Sequence, residues 1–268
     1  MKKPLLTLFQ RHGHLFYVLA VAASPAAVVS LVPDRAGVDR DSTRYHFESS
    51  FECTSKGRSG GYVLIAQKDA KTLIDATPYV NESGEISLDL SGSSLTTVDG
   101  IKDHTDLQAL DLSDCTRLTN IDGLKGLTNL QTLYLDRCNR ITSVESLKDL
   151  QNLQTLDMAV CVSLTSVDDL KGLKNLERLI LSECSSLTNV AGLRELKNLQ
   201  TLDLSECIGL TSIDGLRDLE NLQTLDLFGC AGLTGIDALK GLKKLQMLSL
   251  DACIWLTGIE GFKGLSNL

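Results

Sequence analysis

The sequence predicts an α/β fold, a solenoid with a curved parallel β-sheet on its concave face and short 3₁₀ or irregular returns on its convex face. The first observation is a repeat, because strings such as LDLSDC at Leu110–Cys115 recur with a period of 23 residues. The second is the L-x-L alternation within each string, since a period of two indicates a strand with one buried face. The third is the spacing of cysteine, because seven of the eight cysteines stand one period apart. A repeat of this length indicates stacked units that share one core.

Composition and charge agree with a globular protein and limit its partners. The chain has 268 residues, of which 43% are hydrophobic, and its formal net charge is −8. A nucleic-acid-binding surface needs a surplus of Lys and Arg, so this charge argues against one. Residues 1–84 hold 10 basic and 8 acidic side chains, whereas residues 85–268 hold 16 basic and 26 acidic ones. The second part of the chain therefore carries the negative charge.

Residues 1–33 form the first element and resemble a secretory signal peptide. Basic side chains precede an apolar run over residues 15–32, within which Ala20-Val21-Ala22 has the spacing of a cleavage site. The alternative is an uncleaved membrane anchor, since a run of this length is at the short end of a spanning helix. If the leader is removed, the mature chain is expected to begin between Ala23 and Asp34.

Residues 34–61 and 62–86 are interpreted as a polar linker and an amino-terminal cap. The linker includes a Gly/Ser/Arg stretch that lacks the spacing of a phosphate-binding loop. In the cap, a strand is predicted at Tyr62–Ala66 and a helix at Asp69–Ala76. Together they would cover the apolar end of the first repeat, as terminal caps must.

Residues 87–268 hold about eight repeats of 22 or 23 residues, and the copy at Leu199–Asn221 reads LQTLDLSECIGLTSIDGLRDLEN. The L-x-L segment is expected to form a strand, and apolar positions at intervals of three in the rest of the unit suit a 3₁₀-like return. Burying seven aliphatic side chains stabilises one unit by roughly 10 to 20 kcal/mol. Ordering its backbone costs roughly 23 to 46 kcal/mol, so one unit needs neighbours to fold.

The pattern L-x-x-L-x-L-x-x-C, followed by L-T-x-I-x-G-L-x-x-L, resembles the leucine-rich repeat family over about two thirds of the chain. The second half of the unit is most similar to the short bacterial repeats of internalins. The chain departs from that type in having cysteine where asparagine is commoner, and one residue more than the usual repeat. The resemblance implies a binding module that contacts its partner through the concave face.

The seven periodic cysteines are interpreted as a structural ladder. A disulfide framework would leave one of them unpaired, and their spacing matches no zinc-ligand pair. A small apolar side chain with a weak donor suits a buried turn after each strand. Cys53 lies outside the array, as a free thiol or as part of the cap. The cysteine ladder comprises Cys115, Cys138, Cys161, Cys184, Cys207, Cys230 and Cys253.

Two charged ladders, three residues apart, are expected on the convex face. Acidic side chains such as Asp122 and basic ones such as Lys125 recur in nearly every repeat. A surface for a polyelectrolyte is one interpretation. Weak pairs of opposite sign are favoured instead, because interleaved charges cancel a long-range field.

The concave strand face is the predicted interaction surface, since its side chains vary without harming the core. Most of them are small, hydroxylated or acidic, and residue types that anchor interfaces stand out against this background. The alternative is repeat drift without a ligand, and the repeated Asp need not indicate cation binding. The candidate partner-binding side chains, whose large members are expected to face solvent, are Tyr134, Asp157, Arg178, Ile180, Asp203, Asp226, Phe228 and Met247.

The last residue, Leu268, aligns with the first position of a further strand, so the final unit is expected to lack a carboxyl-terminal cap. An apolar end and an open sheet edge would follow. The chain is then either a fragment of a longer protein or associates with itself through this end.

No catalytic, cofactor-binding or metal-binding constellation is predicted. The leading hypothesis is an exported or membrane-anchored module, secreted, periplasmic or at the cell surface, that binds a protein or a glycan. The concave Asp residues favour a basic protein, and membrane attachment would use residues 15–32. The alternative is a cytoplasmic scaffold or a regulatory subunit of an enzyme, as similar solenoids are of phosphatases.

Overall fold

A computed structural model of the chain describes residues 84–258, 260–263, 265, 267 and 268 together with Pro78 and Val80. It also gives the backbone of Tyr79 and of seven strands within residues 5–76. Those seven strands form two antiparallel sheets, one of three strands and one of four. They are β1 (Leu5–Arg11), β2 (His14–Ala20), β3 (Val29–Pro33), β4 (Arg44–His46), β5 (Phe51–Ser55), β6 (Tyr62–Ala66) and β7 (Leu73–Ala76).

Strand β6 confirms the strand predicted at Tyr62–Ala66, whereas the helix predicted at Asp69–Ala76 is wrong. Its last four residues form β7, which pairs antiparallel with β6, because Val63 lies opposite Ala76. The proposed cleavage site after Ala22 lies outside the described residues. In the part of the chain that the structure describes, no helix has the length and apolarity needed to cross a membrane. The leader and the linker stay predictions.

Nine strands form the main sheet and follow one another in chain order. Strand β8 pairs antiparallel with β9, and every later pair is parallel, with Leu110, Leu133 and Leu156 opposite one another. This sheet confirms the predicted solenoid. Its strands are β8 (Tyr79–Val80), β9 (Ile86–Asp89), β10 (Ala109–Asp111), β11 (Thr132–Tyr134), β12 (Thr155–Asp157), β13 (Arg178–Ile180), β14 (Thr201–Asp203), β15 (Thr224–Asp226) and β16 (Met247–Ser249).

Backbone hydrogen bonds join neighbouring repeats on both sides of each short strand. The N–H groups of Gln131 and Thr132 both donate to the carbonyl of Gln108, at 2.7 and 3.1 Å. Beyond the strand, the Leu135 N–H donates to the carbonyl of Asp157 at 2.7 Å. These bonds satisfy backbone groups that would otherwise be buried without partners, and they fix the spacing of the units.

The convex returns are 3₁₀ helices of three or five residues, and no α-helix occurs among the residues that the structure describes. Successive returns approach each other closely. At Gly215, for example, an added Cβ would overlap the carbonyl oxygen of Val190. Glycine at this position of η6 avoids that overlap. The returns are η1 (Asp99–Ile101), η2 (Asp122–Leu124), η3 (Glu145–Leu147), η4 (Asp168–Gly172), η5 (Ala191–Glu195), η6 (Asp214–Leu216), η7 (Asp237–Gly241) and η8 (Glu260–Phe262).

The residue before each ladder cysteine has a positive φ, and so does the residue before Ser93, which takes the place of the cysteine in the first repeat. These φ values lie between 56° and 68°. Only Gly92 and Gly229 are glycines at this position, and Val160 is β-branched, which makes this conformation unfavourable. The conformation is retained because the N–H group points to the next repeat, as in the 2.7 Å bond from Val160 to the carbonyl of Ser182. This feature was not predicted.

The hydrophobic core lies between the sheet and the returns. Leu179 and Leu181 are fully buried, and the equivalent positions are buried in every repeat up to Leu225 and Leu227. The last unit is packed less completely, because Leu248 and Leu250 are partly exposed. Self-association through this end stays a prediction.

Candidate interaction surface

In each three-residue strand from β10 to β16, the first and last residues face the concave side, because the leucine between them points into the core. On β12, Leu156 is fully buried, whereas Thr155 and Asp157 are half-buried. The parallel register places equivalent side chains of neighbouring strands in columns, with steps of about 4.8 Å. We name the column of the last residues of β9 to β16 the aspartate column: Asp89, Asp111, Tyr134, Asp157, Ile180, Asp203, Asp226 and Ser249.

The carboxylates of the aspartate column help to form the turn that follows each strand. Oδ1 of Asp226 accepts a hydrogen bond from the N–H of Phe228 at 2.8 Å. Oδ1 of Asp203 accepts bonds from the N–H and the hydroxyl of Ser205, at 2.9 and 2.7 Å. This local bond is typical of Asp in turns and gives the repeated Asp a structural role.

The electrostatics of the column show that its carboxylates repel one another. Burial raises the pKa of Asp111, and the charges of Asp89 and Asp136 raise it further, against the hydrogen bonds from Ser113. Burial also raises the pKa of Asp157, with Asp136 and Asp203 adding to it and Arg178 opposing it. A cation brought to this face would relieve that repulsion.

Four of the five large side chains predicted to face solvent do so. Tyr134, Phe228 and Met247 are 38%, 42% and 60% exposed, and Arg178 is exposed on the same face. Ile180 is a correction, because it is only 8% exposed. The register places it between Asp157 and Asp203, so a compact branched side chain there is covered by its surroundings.

Negative charge is concentrated on the strand side of the solenoid. The strands β9 to β16 and the three residues after each hold only two basic residues, Arg137 and Arg178. On the convex side, by contrast, the predicted pairs of opposite charge are present, as between Asp214 and Arg217 at 2.9 Å. The ten strand-side carboxylates are Asp89, Asp111, Asp114, Asp136, Asp157, Glu183, Asp203, Glu206, Asp226 and Asp251.

Four exposed apolar side chains lie one or two residues after a ladder cysteine and were missed at the sequence level. Val162, Ile208, Ile254 and Trp255 are 37%, 59%, 71% and 64% exposed. The signal was present, since the residue after the ladder cysteine is polar in three repeats, at Thr116, Asn139 and Ser185. A ladder of asparagines was also missed. The side-chain amide of Asn152 donates to a carbonyl of the preceding repeat at 2.9 Å, and equivalent bonds are made by Asn129, Asn175, Asn198 and Asn221.

The cysteine ladder consists of free thiols, all buried except the half-buried Cys253. Each thiol donates to a carbonyl of the preceding repeat, as Cys184 does to Met158 at 3.3 Å. Burial raises the pKa of Cys184 to about 12, so the thiol stays protonated and unreactive near neutral pH. Among the residues that the structure describes, no group of three or more His, Cys, Asp or Glu is arranged to hold a metal ion.

The family comparison agrees with this geometry. A model of the family described as "Leucine Rich repeats (2 copies)" matches residues 105–149, 128–174, 174–218 and 197–231. These matches cover strands β10 to β15 and the cysteines among them. The solenoid is a leucine-rich repeat domain. Its fold is therefore one that serves protein interaction.

Internalin C2 and the repeat domain of XopL show the same leucine-rich repeat fold. Internalin C2 from Listeria monocytogenes is 27% identical, with a TM-score of 0.54 over 68% of this chain and 77% of its own. The leucine-rich repeat domain of the type III effector XopL is 21% identical, with a TM-score of 0.52 over 66% of this chain and 72% of its own. The functional domain of InlJ from L. monocytogenes, which includes a cysteine ladder, is 19% identical, with a TM-score of 0.32 over 65% and 55%. No curated protein matched the sequence significantly.

Proposed function

We propose that this leucine-rich repeat domain is a protein-binding module of an exported protein and that its concave face contacts the partner. The observation that carries the proposal is the division of charge between the two faces. On the convex side, five acidic side chains each pair with a Lys or Arg three residues later, as Asp237 does with Lys240 at 2.9 Å. Concave carboxylates are in excess, and they surround exposed side chains of the kinds that anchor interfaces.

The concave surface is also rigid, which favours binding. Its strands are joined by backbone hydrogen bonds to both neighbours, and the turn after each Asp is held by the carboxylate itself. A surface that is ordered before binding loses little conformational entropy when the partner arrives. Replacing a concave side chain is therefore expected to change binding without changing the fold.

Photo-crosslinking in the organism that encodes the protein tests which face binds. Thr155 and Thr201, half-buried on the concave face, are each replaced by p-benzoyl-phenylalanine in the full chain. Lys148 and Lys171, exposed on the convex face, serve as matched positions. The concave positions are expected to yield covalent adducts with one partner, to be identified by mass spectrometry.

Adducts from the convex positions alone would contradict the proposal, and so would a partner that crosslinks equally from both faces. A glycan partner would appear as an adduct without a second polypeptide. Binding of a cytoplasmic enzyme would favour the alternative of an intracellular scaffold or regulatory subunit.

Export rests on the resemblance of residues 1–33 to a secretory leader. Amino-terminal sequencing of the native protein is expected to find a start between Ala23 and Asp34. A membrane anchor in residues 15–32 would instead leave the chain intact and in the membrane fraction. An intact chain in the cytosol would contradict export while leaving the binding proposal in place.

A further inference from the structure

Two exposed apolar side chains lie in neighbouring repeats at the carboxyl-terminal end of the concave face. Phe228 lies two residues after β15, and Met247 lies on β16. In the register Met247 lies opposite Thr224, so Phe228 and Met247 belong to neighbouring strands. Other repeats mostly have Thr in place of Met247 and mostly Ser or Asp in place of Phe228, so the core does not require either side chain.

Carboxylates border these apolar side chains. Asp203 and Asp226 lie opposite each other on β14 and β15. The N–H of Glu206 donates to the carbonyl of Phe228 at 2.6 Å, and its side chain lies 3.1 Å from where a Cβ on Gly229 would be. Among the residues that the structure describes, no ion pair joins these three carboxylates to a Lys or Arg.

The amino-terminal half of the same face has a different balance. There Asp114 pairs with Arg137 at 3.7 Å, and Arg178 favours the ionised form of Asp157. Arg117 and Arg140 follow the ladder cysteines of the same repeats, at the place where the last repeats have Gly209 and Trp255. Basic side chains thus accompany the carboxylates in one half and are replaced by apolar or small residues in the other.

We infer that Asp203, Glu206, Asp226, Phe228 and Met247, the carboxyl-terminal surface, form a docking site for a basic protein segment that also carries apolar side chains. Cationic side chains would meet the carboxylates, and apolar ones would pack on Phe228 and Met247. The inference rests on the proposed function and narrows it to one half of the concave face and one class of partner. From β14 to β16 the strands span about 10 Å, which an extended segment crosses with about three to four residues.

The test measures binding of defined peptides to the full chain by fluorescence anisotropy. Three labelled peptides of roughly eight residues are used, which is long enough to span this surface. The first alternates Arg with Leu, the second Arg with Ser, and the third Glu with Leu. The Arg/Leu peptide is expected to bind most tightly, and its affinity should fall as salt concentration rises. The Glu/Leu peptide should not bind.

Matched double variants locate the site. Asp203→Asn with Asp226→Asn should raise the Kd of the Arg/Leu peptide about tenfold or more at low salt. Asp89→Asn with Asp111→Asn removes two charges from neighbouring strands at the other end, and should raise Kd by less than about threefold. Asn keeps an oxygen that can accept the turn bond of each Asp, so both variants are expected to fold.

Two further variants separate apolar contact from charge. Phe228→Ser and Met247→Thr introduce the residues that neighbouring repeats carry at these positions. Each substitution should weaken binding of the Arg/Leu peptide and leave the weaker binding of the Arg/Ser peptide unchanged. Circular dichroism and the unfolding midpoint report whether each variant is folded.

Equal losses from the two double variants would overturn the inference, as would tighter binding of the Glu/Leu peptide. If p-benzoyl-phenylalanine at Thr201 still captures the native partner while the Asp variants bind it normally, concave binding stands and the charge-based inference fails. If the concave positions capture nothing, the proposed function itself fails.

Discussion

The cysteine ladder and the aspartate column both run along the solenoid at the same period, yet they differ in how much they vary. The ladder keeps cysteine in seven successive repeats, whereas the column replaces Asp by Tyr134, Ile180 and Ser249. Ladder side chains are buried and contact the neighbouring repeat, so a change in size disturbs two units. Column side chains other than Ile180 have solvent on one side, and their variation is compatible with one backbone.

This difference shows where function can be found in a repeat protein. Identity between repeats reflects packing and backbone geometry that every unit must satisfy. Departures from the consensus at exposed positions, such as Phe228 and Met247, are not required by packing. The following substitutions test that division, from the largest expected effect to the smallest.

Leu179→Ala should cause the largest loss of stability, and its neighbour Arg178→Ala almost none. Leu179 is fully buried on β13, and removing its side chain leaves a cavity that costs about 2 to 5 kcal/mol. Arg178 is exposed on the concave face, so its truncation should change the free energy of unfolding by less than about 0.5 kcal/mol. Urea unfolding of both variants measures the contrast. Similar losses would show that the concave face is part of the structural core.

Cys184→Ala should cost about 1 to 3 kcal/mol, because it leaves a small cavity and removes the donor to the Met158 carbonyl. Cys184→Ser should cost less, since a hydroxyl can donate to the same carbonyl. Ser93 already occupies the ladder position of the first repeat, where its hydroxyl lies 3.2 Å from the Cys115 thiol. Cys253→Ala, at the half-buried end of the ladder, is the matched control and should lose less than Cys184→Ala. Unfolding midpoints measure both losses. A larger loss for Cys253→Ala than for Cys184→Ala would mean that burial does not determine how much each ladder cysteine contributes to stability.

Most of the fold could be predicted from sequence because one pattern repeats many times. The alternation of leucine around Asp203 identified its strand, and the period placed every other strand in register with it. Geometry that depends on neighbours 23 residues away was harder to predict. The burial of Ile180 and the left-handed backbone at Val160 depend on adjacent repeats, which a single unit does not reveal.

The candidate surface could be predicted only in part for a similar reason. Tyr134 and Phe228 were identified because they interrupt a regular column of small or acidic residues. Ile208 and Trp255 were missed because they lie after the ladder, outside the strand that defined the concave face. The division of charge between the faces became visible only once residues were assigned to faces, since the net charge of the chain gives only the sum of all charges.

Val160→Asn should stabilise the protein by about 1 kcal/mol, because Asn tolerates the left-handed region better than a β-branched residue. Val160 has a φ of 59°, and its N–H bond to Ser182 does not depend on the side chain. Asp114→Asn is the control, since Asp114 has a φ of 57° and a side chain already suited to it. Thermal unfolding should show a higher Tm for the first variant and little change for the second. A lower Tm for Val160→Asn would show that the valine side chain contributes packing that outweighs the strain.

Asp111→Asn should have the smallest effect, a gain of a few tenths of a kcal/mol near neutral pH after allowance for solvent screening. Burial and the charges of Asp89 and Asp136 raise the pKa of Asp111 in the folded chain. A carboxyl with a raised folded-state pKa lowers stability when it is ionised, and this penalty disappears as pH falls through that pKa to the unfolded value. The advantage of the Asn variant should therefore vanish below about pH 4. Asp157→Asn should gain less, because Arg178 partly offsets the rise in the pKa of Asp157. Denaturant midpoints measured across this pH range check both variants, and an advantage that grows on acidification would show that the column is not under repulsive strain.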